Sequence, residues 1–417
     1  MATNGRNPDP EVGAVADPVT PKSRTSGWAA RVSLGRVLTP VASEFLLLAG
    51  TTLALTVFGL VMVLSASSAN DTAAGLGAYD SFWRQGTFAL IAVPLMFVIS
   101  RFSVAFFKRI AWLALIAALV LQMLVFTPLG VESGGNRNWV SIAGQNLQPS
   151  EFLKLALCLW LGFTLWRQQG LLDSWKHMFW PTVPVAIVVI GSVLLGSDLG
   201  TAMVLVLIVL AALFFAGVRL RMFIIPVLHG AFAVAALANT RPDRKRRIMS
   251  FLDTGSLACY TEDCFQPLHG VWGLAGGGIF GLGLGNSREK YDWLPAAAND
   301  YIFAIVGEEL GLIGCIVVLA LFGLFAVGAF RIVRRTDDPF VRIASGAITV
   351  WILGQALINI GVVLRVFPVL GVPLPFMSAG GTSLISVLLA VGVLLAFARS
   401  LPVETPAPPS REKVARR

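Results

Sequence analysis

Runs of roughly 17–25 apolar residues recur along this chain, and a helix of that length crosses a hydrocarbon core about 30 Å thick. Inside lipid such a segment must satisfy its own backbone hydrogen bonds, which restricts what it can become. Ten runs stand out, near residues 42–66, 84–100, 110–128, 151–166, 181–196, 199–217, 222–239, 301–329, 342–364 and 376–398. Composition agrees: 56% of residues are hydrophobic and only 13% charged, with a mean hydropathy of +0.77, far from a soluble domain. The expected fold class is an all-α polytopic membrane protein of about ten helices. No run has the form of an isolated N-terminal signal sequence, so removal of a targeting peptide is not expected.

Residues 1–40 and 400–417 lack an apolar period, are rich in Pro, Ser, Thr and Arg or Lys, and read as disordered tails flanking a membrane domain at 41–399. Arg101, Lys108, Arg109, Arg167, Lys176, Arg219, Arg221, Arg331, Arg334 and Arg335 fall in short loops on one side, and Lys22, Arg24, Arg31 and Arg36 precede the first run. The positive-inside rule then places both termini in the cytoplasm. The tight turn in "LLGSDLGTAM" (194–203) is the weakest boundary; without that hairpin the total falls to eight and the termini stay on one side.

Two outer loops exceed simple connectors, 130–151 and about 240–300. The second opens with five basic residues between Arg241 and Arg247; long loops are exempt from the inside bias, so the topology stands. Such a cluster asks for an anionic partner, either lipid headgroups or a phosphorylated substrate. The formal net charge of +9 is dispersed between apolar runs, which argues against nucleic-acid binding. Cys158, Cys259, Cys264 and Cys315 have no ligand spacing with the three histidines, so no structural zinc site is expected, while a Cys259–Cys264 disulfide stays open.

Charges at the outer ends of apolar runs are the candidates for chemistry. Asp300 stands before "YIFAIVGEELG", where it or Asn299 could cap a helix, or where Asp300 could act as a general base in a half-buried cavity. Glu308 and Glu309 lie two turns deeper and favour a structural role with a cationic partner such as Arg365. "GLAGGGIFGLGLGNSREKYDWLP" (273–295) packs seven glycines into thirteen positions, which reads as an irregular or re-entrant segment, and offers Ser287, Arg288 and Lys290 as contacts for phosphate or sugar oxygens. In "QPSEFLKL" (148–155), Glu151 and Lys154 form either an internal i,i+3 pair or a phosphate contact. Asp198 in "SDLGTA" has the same ambiguity between cap and ligand. Arg137 in "GGNRNW" supplies donors; Ser378 heads a proline-broken entry to the last run, and Gln355 and Asn359 form a polar stripe in the run before it.

"QPSEFLKL", "SDLGTA", "GGGIFGLGLGNSREKYDWLPAAANDYIFAIVGEELG" and "PLPFMSAGGTSLI" together resemble, in order and across about residues 45–398, the SEDS family of shape, elongation, division and sporulation proteins. The wording looks more like its actinobacterial division branch than its elongation branch. The resemblance implies a ten-span peptidoglycan glycosyltransferase of the bacterial cytoplasmic membrane, enriched at the division septum. It would polymerise lipid II with inversion, release undecaprenyl diphosphate, and work with a class B penicillin-binding transpeptidase and other division proteins. The family's loop aspartate falls on Asp300 as general base, its glycine-rich segment with the following Ser and Lys on Gly276–Gly285, Ser287 and Lys290, and its turn aspartate on Asp198; beside these, the residues' own chemistry puts Arg137, Lys154, Arg288 and Ser378 on the substrate side, with Glu151, Glu308, Glu309 and Gln355 in support. No cofactor is fixed by the resemblance, and a divalent cation, Mg or Mn, at the diphosphate stays open. The chain departs from the family wording at "GGNRNW", at Ser197 before Asp198 and at Pro267, so no exact role transfers to Arg137 or to Pro267. A lipid II flippase or a non-enzymatic division scaffold are the competing readings.

Overall fold

The computed structural model describes residues 43–133, 136–142, 144–172, 174–224, 251 and 264–402. Its long helices are α1 (Ser43–Ala73), α2 (Asp80–Ile99), α3 (Val104–Met123) and α4 (Pro149–Arg167). After a short helix α5 (Trp175–Phe179) come α6 (Thr182–Leu195), α7 (Leu199–Phe215), α8 (Phe265–Gly277), α9 (Ile302–Arg335), α10 (Pro339–Val363) and α11 (Gly381–Arg399). Nine of the ten expected spans are helices; the tenth, near 222–239, lies outside the described residues from 225 onward, as do residues 1–42, 403–417 and the Arg241–Arg247 cluster. The protein is a polytopic helical membrane protein: six described helices, α1, α2, α3, α9, α10 and α11, are long and apolar enough to cross a bilayer, and α6 and α7 are shorter apolar helices. The doubtful turn at 194–203 is a real boundary, with Ser197 at φ 71° between α6 and α7.

Sequence explains where these helices start. Ser103 accepts the Phe106 amide at the head of α3, and Asp338 accepts the Phe340 amide at the head of α10, with Pro339 just inside; both supply oxygen to amides that lack an intrahelical partner. Asp338 also takes Lys108 at 2.7 Å, tying α10 to α3. Within the bundle, α11 and α10 form the centre, with 83% and 72% of their apolar windows buried, whereas α2 and α3 are buried over 22% and 28% and turn most of their surface outward. Leu90, Ile91, Leu113 and Ile116 are among their exposed side chains, the pattern of helices whose solvent is lipid.

One element departs from an all-helical expectation. The loop before α4 folds into a small antiparallel sheet, β1 (Gly130–Ser133), β2 (Asn136–Ile142) and β3 (Gln145–Leu147), in the order β1-β2-β3. Val131 faces Trp139 and Val140 faces Leu147. Residues 136–142 alternate too briefly, beside a glycine pair, to have stood out from a loop.

Candidate active site

Chain direction places the starts of α4, α7, α9 and α11 at one end of the bundle, opposite the end that carries Arg101, Arg167, Arg334 and Arg399. The acidic candidates gather at that first end. Asp198 is the cap of α7: it accepts from the Thr201 amide at 2.9 Å and hydroxyl at 2.8 Å, and further from Asn138 at 2.9 Å and Gln148 at 3.2 Å. Four donors saturate this buried carboxylate and fasten the sheet to α7. Arg137 is likewise engaged by protein, donating to the carbonyls of Val125 at 3.0 Å and Thr127 at 2.9 Å.

The glycine-rich segment forms a second layer. A helix, α8, runs into a turn whose Gly278, Gly281, Gly283 and Gly285 all have positive φ. It packs so closely on α9 that a Cβ at Gly277 would collide with the Gly307 carbonyl. The sequence suggested an unbroken span at 301–329. Instead α9 is interrupted at Gly311, which holds φ 67° and ψ −163°, a conformation that excludes side-chain-bearing residues. The interruption frees the carbonyls of Glu308 and Glu309, which accept the amides of Leu282 and Gly283 at 2.9 Å each, while Leu312 donates back to Gly278 at 2.9 Å. Loop and helix thus satisfy each other at membrane depth, where an unmade backbone bond is costly. The signal was present in "EELGLIG", but a lone glycine in an apolar run gives no direction.

Glu308 and Glu309 use their side chains to fix the turn that follows. Glu308 accepts from the Ser287 hydroxyl at 2.5 Å and from the amides of Arg288 at 2.8 Å and Glu289 at 3.4 Å. Glu309, wholly buried, accepts from Ser65 of α1 at 2.6 Å and meets the ammonium of Lys290 at 3.4 Å. Lys290 also donates to the Gly285 carbonyl at 2.6 Å. The partners are therefore Ser287, Lys290 and Ser65, and the contacts made by these glutamates do not include the suggested Arg365, which lies beyond α10. Among Ser287, Arg288 and Lys290, only Arg288 presents an exposed side chain.

A third network joins the start of α4 to Asp300. Lys154 donates to Glu151 and to Gln355, both at 2.9 Å, with the Trp351 ring 5.1 Å from its ammonium. Glu151 also accepts from Ser386 at 3.1 Å. The internal i,i+3 pair is thus made, in a site where both side chains are at most 2% exposed. Gln355 passes the connection on to the Pro373 carbonyl at 2.9 Å, and Asn359 bonds the carbonyls of Val372 at 2.8 Å and Asp300 at 2.7 Å. Ser378 donates to the Asn299 carbonyl at 2.6 Å and accepts the Leu374 amide at 2.7 Å. Residues 364–380 and 298–300 are therefore clamped together from the side of α10. Asp300 is half-buried beside Gly371. It does not occupy the cap position of α9; Tyr301 does, with no side chain capping it.

His269 and Glu289 escaped the sequence reading. Their side chains meet at 2.6 Å, with the His269 ring stacked on Trp293 and flanked by Phe265 and Trp272. Burial pushes the Glu289 carboxyl above its ordinary range, opposed by His269 and assisted by Glu308. Twenty residues of separation in a glycine-rich stretch gave no helical spacing by which to find the pair. Cys264 is disulfide-bonded and Cys158 and Cys315 are free thiols; Cys259, its suggested partner, lies outside the described residues. Among the described residues no three His, Cys, Asp or Glu side chains are arranged to hold a metal ion, and Glu151, Asp198, Glu308 and Glu309 already have protein donors.

The FtsW/RodA/SpoVE family model, described as cell cycle protein, matches residues 45–402. The chain belongs to this family. This is the SEDS family that the four sequence segments resemble. The probable peptidoglycan glycosyltransferase FtsW of Mycobacterium tuberculosis is 37% identical over 399 residues, 95% of this chain and 74% of that protein. The stage V sporulation protein E of Bacillus subtilis is 36% identical over 365 residues, 87% of this chain and 98% of that one. Among solved structures, a chain of a peptidoglycan synthase complex that coordinates polymerization and crosslinking superimposes with a TM-score of 0.69 at 25% identity, covering 84% of this chain and 96% of its own. The rod shape determining protein RodA of Thermus thermophilus gives 0.62 at 25% identity, covering 84% and 95%. The fold of this chain is therefore shared with RodA, and its sequence is similar to FtsW and stage V sporulation protein E.

Proposed function

We propose that this SEDS protein is a peptidoglycan glycosyltransferase that polymerises lipid II into β-1,4-linked glycan at the outer face of the bacterial cytoplasmic membrane. The names of its FtsW relatives support the activity, and the clamped position of Asp300 supports the assignment of the base. Its backbone is held by Asn359, and the carbonyl beside it by Ser378, so the carboxylate has a fixed origin without serving as the helix cap. A base held in place contributes by accepting a proton only as the acceptor attacks. In the reaction Asp300 takes the proton of the GlcNAc 4-hydroxyl while that oxygen bonds to MurNAc C1. The bond from C1 to the diphosphate oxygen breaks with inversion, and its electron pair leaves on undecaprenyl diphosphate. Arg288, exposed on a turn whose amides are fixed by Glu308, supplies positive charge to that leaving group. Lys290 and Lys154, paired within the protein, brace the elements around it.

The partner is a class B penicillin-binding transpeptidase, in keeping with the synthase complex among the structural relatives, and the working site is the division septum with other division proteins. The interruption of α9 at Gly311 also fits a transporter, since discontinuous helices line such sites. Polymerisation by purified protein supplied with lipid II separates the two. Folded Asp300→Asn should form glycan about 10²–10⁴ times more slowly, whereas inactivating the transpeptidase serine leaves glycan formation intact. Glycan formed at the parental rate by Asp300→Asn overturns the assignment.

A further inference from the structure

A groove of about 390 Å³ runs along α3, between it and α2, α4 and α11. Every side chain lining it is apolar, Ile99, Phe102, Phe106, Ala117, Phe152 and Val393 among them. From Phe102 to Leu121 it follows roughly 28 Å of chain at 1.5 Å per residue, enough for an extended acyl chain. None of the candidate catalytic residues borders it.

The mouth of the groove at the basic end has an unusual charge arrangement. Arg101, in the turn between Ile99 and Phe102, lies within electrostatic range of Arg399 at the end of α11. Both are exposed. Like charges repel, and neither guanidinium has an acidic partner among the described residues. The carboxylate in that neighbourhood, Glu44, is taken by Arg335 at 2.7 Å, while Arg399 has its other face over Phe45, 4.5 Å from the ring centroid. The next cation along, Lys108, is spent on Asp338 and the Trp166 ring. A guanidinium flanked in sequence by two lining residues of the slot, with a second in electrostatic range of it, matches the chemistry that holds an anionic lipid headgroup at the cytoplasmic surface, and guanidinium suits phosphate geometry.

We propose that this groove binds an anionic phospholipid of the cytoplasmic leaflet, its acyl chain lying along α3 and its phosphate held between Arg101 and Arg399. The occupant neutralises a repulsion that the protein alone leaves standing, and it bridges the ends of α2 and α11 at the centre of the bundle. The site is separate from the proposed glycosyl transfer and is tested without it.

The test is native mass spectrometry of the purified full chain in detergent, with phosphatidylglycerol, phosphatidylcholine or inorganic phosphate added, and thermal unfolding measured in parallel. Wild type should retain phosphatidylglycerol in preference to phosphatidylcholine and unfold at a higher temperature with it, while phosphate alone gives neither effect. Arg101→Gln with Arg399→Gln should lower the preference by on the order of tenfold or more. Ala117→Phe, which fills the slot from an exposed position, should lose the lipid with both arginines intact. If the double variant does not fold, Arg101→Gln alone carries the headgroup arm. Equal retention of the two lipids by wild type, an undiminished preference in the arginine variant, or an equal thermal shift from phosphate alone overturns the proposal.

Discussion

Asp198 and Asp300 both stand at the head of a helix at the same end of the bundle, yet only the first serves as its helix's cap. Around Asp198 the carboxylate itself is consumed: Thr201, Asn138 and Gln148 supply four hydrogen bonds, and the side chain is 6% exposed. Around Asp300 the contacts that stand out are on the main chain, through Asn359 and through Ser378 on the preceding carbonyl. A side chain committed to capping contributes stability. Asp300 is not the cap of α9, a position that Tyr301 holds, and its main chain is fixed at a site where geometry must be kept to fractions of an ångström.

The largest expected effect is on the Asp300 side of this contrast. Asp300→Asn should lower the rate of lipid II polymerisation by about 10²–10⁴ while leaving the unfolding midpoint near that of wild type; a large fall in stability instead would put the two aspartates in one class. Next comes the buried Lys290–Glu309 pair, which belongs with Asp198. Lys290→Met strands a carboxylate that is 0% exposed, and unfolding in detergent should show a loss of about 3–5 kcal/mol. Asp198→Ala should cost about 2–4 kcal/mol, the cap plus the donors left unmatched, with protein that remains folded still making glycan. A measured loss of turnover at full stability would move Asp198 to the functional class.

A smaller effect should appear in pH dependence. Burial raises the Glu289 carboxyl above its unfolded value, so the folded state favours the protonated form. That contribution is fully present below the ordinary carboxylate range and is lost as pH rises through the raised value. Glu289→Gln should therefore flatten the decline in unfolding midpoint across that window; an unchanged slope would remove Glu289 as its source. The smallest structural effect is predicted for exposed Arg288, where replacement by Ala should change stability by less than about 0.5 kcal/mol while weakening binding of the diphosphate product.

Legibility in the sequence followed the locality of each interaction. Apolar length revealed the spans, and the i,i+3 spacing of Glu151 and Lys154 revealed a pair that the structure makes at 2.9 Å. The cap at Asp198 was equally local, three residues from its amide donor. Interactions that close over long separations left no such trace. Ser65 reaches Glu309 across 244 positions, so nothing in "GEELG" could choose it over Arg365. His269 and Glu289 meet only because α8 folds back along α9, and the small sheet is too brief to announce itself. The interruption of α9 depends on what packs against Gly311, a fact of three dimensions that one residue's identity does not carry.

That interruption has a mechanical corollary. The loop 278–283 shares its amides and carbonyls with residues 308–313, and the glycines at their contact leave no clearance for sliding. Because those bonds fall on both sides of Gly311, the loop and both arms of α9 that flank this glycine must travel as a single piece. Any opening on this side of the bundle has to be made by other elements, because this seam is stitched shut along its own backbone.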